Sequence, residues 1–62
     1  MDLKENLEKE IIHQRKLIKE YEDAMDQVPD YLKSYQEIAL LLQRERLEVL
    51  EKELANNIGK SS

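Results

Sequence analysis

Met25-Asp26-Gln27-Val28-Pro29-Asp30-Tyr31, at the centre of a 62-residue chain, is the stretch that decides the fold. Proline fixes its own φ, lacks an amide hydrogen and clashes with a helical predecessor, so Val28 is driven out of the helical region. Pro29 itself suits the first position of a new helix. The reading is a tight connection over residues 27–29, joining a first helix over about residues 2–26 to a second over about residues 29–57. A connection so short has no length for a return path, so the two helices lie antiparallel. One long helix kinked at Pro29 is the alternative.

Upstream of the proline, Leu7, Ile11, Gln14, Ile18, Tyr21, Met25 and Val28 follow one another at intervals of 4, 3, 4, 3, 4 and 3. That is a coiled-coil seam with Gln14 as its polar member. Leu3, Leu17 and Ala24 widen the stripe on one side. Asp2 is placed to cap the helix, with Glu5 three residues on, where a capping box wants an acid. A lone polar residue in a seam usually fixes register at some cost in stability, and Gln14 is read that way.

Downstream, the second helix is expected to turn Tyr31, Leu32, Tyr35, Ile38, Ala39, Leu42, Val49 and Leu50 toward the first. Leu47 and Leu54 then continue a drifting stripe, and Arg46 packs its stem within it. Leu40 and Leu41 fall outside this stripe, so residues 38–42 read as apolar almost all round. Such a segment is normally buried on every side, and a two-helix hairpin has nothing to cover the far side. Asn57 and Gly59 are helix-stop signals, and residues 59–62 are expected to be a disordered tail.

One glycine, one proline and abundant Glu, Lys, Leu and Gln are a helical composition. The fold class expected is therefore all-α: an antiparallel two-helix hairpin over residues 1–58, pairing into a four-helix bundle or docking on a partner. Short chains bury a modest share of their surface and usually need a staple. With no cysteine and one histidine, neither disulfides nor a structural zinc site can supply it. Association with another chain is what remains, as a homodimer, with a protein partner, or both.

The charged residues, 14 acidic against 10 basic, give a net charge of -4. Phosphate backbones are repelled by such a surface, and no basic stripe offsets it, so nucleic acid is excluded as a partner. The apolar run Ile38-Ala39-Leu40-Leu41-Leu42 is too short to span a bilayer. No signal-peptide pattern stands at the start, and a cytoplasmic protein without a membrane partner is expected. Glu5 with Lys9, Lys16 with Glu20, Lys33 with Glu37, Arg44 with Glu48 and Glu48 with Lys52 stand at helical spacing and read as solvated ion pairs.

No cluster of residues reads as a metal site, a phosphate loop or an activated nucleophile, and no cofactor is expected. His13 lies off the seam among charged neighbours, without the oriented partner that a general base needs. The residues that read as partner-binding are Tyr31, Tyr35, Ile38, Leu40, Leu41 and Leu42, with tyrosines as interface anchors. The function expected is that of a small regulatory or adaptor protein working by protein–protein contact.

Two resemblances add to this. Leu7-x-Lys9-Glu10-Ile11-x-x-x-Arg15, Pro29-Asp30-Tyr31-Leu32 and Gln36-Glu37-Ile38 resemble the small helix–loop–helix aspartyl-phosphate phosphatases of the Bacillus sporulation phosphorelay. Their Ser-Gln-Glu-Leu-Asp signature falls on Tyr35-Gln36-Glu37-Ile38-Ala39, which keeps the glutamine and glutamate and replaces the serine and the aspartate. That resemblance implies docking on a phosphorylated response regulator and, if the activity goes with it, Gln36 and Glu37 as catalytic positions directing water onto an acyl phosphate. Tyr35-Gln36 followed by Leu40-Leu41-Leu42 looks like the co-chaperones of type III secretion needle subunits. That second resemblance implies a helical partner kept from polymerising.

Overall fold

The computed structural model of the protein describes residues 2–60, with side chains through Asn57. Among these residues the only regular elements are helical: α1 over Leu3–Ala24, 3-10 turns over Met25–Gln27 and Asp30–Leu32, and α2 over Lys33–Lys60. α1 and α2 pack side by side as a hairpin, so Pro29 is the corner of a fold and not a kink in one helix.

Asp2 caps α1 as its position suggests, its carboxylate accepting the Lys4 amide at 3.1 Å. The far end of α1 tightens: the Met25 amide reaches back to the Glu22 carbonyl, and a single 3-10 turn follows. Val28 (φ -78, ψ 130) and Pro29 (φ -57, ψ 147) are both extended. Pro29 therefore caps the next turn instead of opening it. Its carbonyl accepts the Leu32 amide at 2.9 Å, and α2 begins at Lys33, later than expected.

The first-helix seam is where its spacing puts it. Ile11, Gln14 and Ile18 are buried, and Leu7, Leu17, Tyr21, Met25 and Val28 are half-buried. The second helix is rotated from the expected phase. Leu40 is buried against α1, and Ala39, Gln43, Leu47, Leu50, Leu54 and Asn57 are half-buried. Tyr31, Tyr35, Ile38, Leu42 and Val49, expected to face α1, are exposed, as is Arg46.

The reason for the rotation lies in the partner that Gln14 needs. A buried amide without a hydrogen bond costs on the order of 1–3 kcal/mol. In the observed phase the Gln14 Nε2 donates to Gln43 Oε1 at 2.6 Å and to the Gln43 carbonyl at 3.0 Å. No buried side-chain polar atom among the described residues lacks a partner. From Leu40 onward the spacing 40, 43, 47, 50, 54, 57 also carries a seam to the far end of α1, whereas the tyrosine stripe ends at Val49.

Two ion pairs bracket the polar layer. Arg15 meets Glu51 at 3.0 Å and Arg44 meets Glu22 at 2.6 Å. The two pairs stand one heptad apart on each helix, with the charges exchanged. Sliding α2 by a heptad one way would set Glu22 against Glu51. Sliding it the other way would set Arg15 against Arg44. The hairpin's register is thus held by charge as well as by the glutamines. Of the expected pairs along one helix, Lys52–Glu48 forms at 3.3 Å, while Lys33 turns to Asp30 at 3.5 Å.

The expected stop at Gly59 is not made. The backbone stays helical through Lys60, and no described glycine takes a positive φ. The rest of the expected tail, residues 61 and 62, lies outside the described residues.

Candidate functional site

The side chains that α2 does not use against α1, with Tyr31 of the 3-10 turn ahead of it, form a second stripe. Tyr31, Tyr35, Ile38, Leu42, Glu45 and Val49 recur at intervals of 4, 3, 4, 3 and 4, the same rhythm as a seam. Their apolar members are 57–78% exposed. Leu41, 54% exposed, flanks the stripe on one side. At 3.6 residues per turn this stripe points roughly 150° away from the Leu40–Gln43 seam, so α2 offers nearly opposite faces to two neighbours.

The stripe holds four of the six residues read as partner-binding, Tyr31, Tyr35, Ile38 and Leu42, and Leu41 flanks it. Leu40 is the correction. It is 8% exposed and belongs to the hairpin's own core, because it opens the seam that Gln43 continues. Glu45 and Val49 extend the stripe beyond the expected residues, and the unbroken 4, 3 spacing after Leu42 was the signal for both. Gln43, absent from the sequence reading, had its signal in Gln14: a polar seam residue needs a polar residue at seam spacing on the facing helix.

Gln36 and Glu37 are exposed on α2, beside the stripe. The Arg15 guanidinium, which completes the phosphatase resemblance, is held by Glu51. Glu51 lies fifteen residues along α2 from Gln36, or roughly 22 Å at 1.5 Å per residue. The hairpin therefore does not gather these groups around one reacting atom. His13 is exposed. Among the described residues no group of histidine, cysteine or carboxylate side chains is arranged to hold a metal ion.

A shallow cleft of about 390 Å³ lies between the free ends of the helices, lined by Ile11, Ile12, Leu54, Ala55 and the Arg15–Glu51 pair, with Glu8 at its edge. It is the gap beside the seam, with the ion pair across it. No helix of the described residues is long and apolar enough to cross a membrane. Comparison with known protein families, characterised proteins and solved structures finds no match to this chain.

Proposed function

We propose that the protein is an interaction module, of the small regulatory or adaptor kind, that works by laying the outer stripe of α2 along a further helix. One observation carries this reading: a complete second seam stands in solvent on a helix whose first seam is already occupied. The six exposed side chains offer on the order of 600 Å², at the upper end of the largest apolar patch on an ordinary monomer. The whole chain points the same way. It exposes 5158 Å², against roughly 4,200 Å² for a folded monomer of its mass.

A helix is the occupant that fits, because the stripe is straight, one residue wide and heptad-spaced, with no pocket to receive a single anchor. A cytoplasmic setting suits a chain that uses no cysteine.

The test compares Leu42→Asp with Ile12→Asp, two exposed apolar residues of which only the first lies on the stripe. Leu42→Asp abolishes association in sedimentation and weakens binding of the apolar dye ANS, with helicity retained. Ile12→Asp changes neither. A wild-type monomer whose dye binding is untouched by Leu42→Asp would overturn the reading.

A further inference from the structure

The occupant of the outer stripe can be named from the stripe itself. We infer that it is a second copy of this chain, paired α2 to α2 in antiparallel fashion about a two-fold axis at the level of Leu40. This rests on the reading of the stripe as a docking face and specifies what docks there.

The stripe is self-complementary about that level. Ile38 of one copy falls against Leu42 of the other, Tyr31 against Val49, and Tyr35 against Glu45, and the two-fold repeats each pair. Glu45 is the one charged member of an otherwise apolar stripe, and a carboxylate in a seam needs a donor. In this register the Tyr35 hydroxyl supplies it. Leu41, which belongs to neither seam of its own hairpin, meets the second copy's Leu41 beside the axis, and Ala39 meets Ala39 on the other flank. The flanking charges find no like partner: Glu48 faces Ser34, and Arg46 faces Leu32.

Other arrangements of the same two helices do worse on charge. A parallel pair would set Glu45 against Glu45. Sliding the antiparallel pair by one heptad would press Glu45 onto Leu42 and take it away from the Tyr35 hydroxyl. The opposite slide would carry Val49 beyond Tyr31 and past the corner at Pro29, where no residue of the stripe faces it. The area also suits. Each copy contributes a strip of on the order of 600 Å², which puts the pair at the lower end of the standard interface of roughly 1,200–2,000 Å² in total. With the two faces of α2 nearly opposed, the assembly is a layer of four helices with the two α2 helices at its centre.

The experiment uses the full chain, which has no native cysteine to interfere. Sedimentation equilibrium should give about twice the 7.4 kDa chain mass, and Ile38→Asp should raise the dimer dissociation constant about a hundredfold or more. Leu41→Cys should be joined by a short bis-maleimide, because the two positions lie roughly 3 Å apart along the axis in this register. Arg46→Cys, displaced by roughly 18 Å, should not. A dimer that cross-links as well through Arg46→Cys overturns the register. A monomeric mass at all concentrations overturns self-pairing. In that case, ANS binding that Ile38→Asp removes would leave the docking reading standing for a different helix, and dye binding indifferent to Ile38→Asp would remove both.

Discussion

α1 and α2 bury their seams against each other but differ in what they leave outside. α1 leaves Leu3 and Ile12 exposed, nine residues apart and not aligned with each other, Leu3 between Asp2 and Lys4 and Ile12 at the cleft beside Leu54 and Ala55. α2 leaves Tyr35, Ile38, Leu41, Leu42 and Val49 exposed, and with Tyr31 ahead of them they line up. Single exposed apolar residues are normal on any surface, whereas an aligned set is not. α1 is amphipathic, with one seam and one wet face. α2 has two seams and is complete on one side only. On the reading proposed above, the hairpin is a finished fold and an unfinished assembly, and the boundary between the two runs along a single helix.

The sharpest way to break that distinction is to cut the same amount from each side of α2. Leu40→Ala opens a cavity in the hairpin core and should cost about 2–4 kcal/mol of stability. Ile38→Ala, in a solution dilute enough to hold single hairpins, should stay within about 0.5 kcal/mol. Urea titrations followed by circular dichroism read both. Equal costs at low concentration would mean that the two faces are not different in kind.

A smaller effect belongs to the glutamine layer. Gln43→Leu leaves the Gln14 amide with the residue 43 carbonyl alone and should cost about 1–2 kcal/mol. Changing both, Gln14→Leu with Gln43→Leu, should recover that loss and loosen the register. The amide NMR spectrum would then show more than one set of resonances where the wild type shows one. A double variant as uniform as the wild type would leave register to the ion pairs.

The smallest effect is in those pairs. Both sit largely in solvent, so Arg44→Glu, which sets like charges against Glu22, should cost about 0.2–1 kcal/mol, and less in high salt. Reversing both charges, Glu22→Arg with Arg44→Glu, should restore it. Failure of the reversal would show that Arg44 acts through something other than its charge.

How far the sequence could be read follows from the same contrast. The α1 seam was legible because its apolar residues admit one phase, and Leu7 to Met25 can be threaded only one way. The corner at Val28–Pro29 was legible because the sterics are local to the proline. α2 was misphased because it carries two heptad stripes. The one ending at Val49 is richer in tyrosine and aliphatic residues, and so looked more like a core than a line broken by Gln43. Hydrophobicity alone could not choose between them. The choice falls to Gln14, whose hydrogen bond is a tertiary fact, satisfied by a residue on the other helix. The same exchange moved Leu40 from the surface to the core and turned Tyr31, Tyr35, Ile38 and Leu42 outward.

The central claim is that α2 has a face completed only by another molecule, and that a second hairpin can complete it. Thermal melts over a wide range of chain concentration test it most directly, because binding to the folded state raises the melting temperature by mass action. The account predicts that the melting temperature of the wild type climbs with concentration while that of Ile38→Asp stays flat. A wild-type melting temperature independent of concentration, and equal to that of Ile38→Asp, would contradict it.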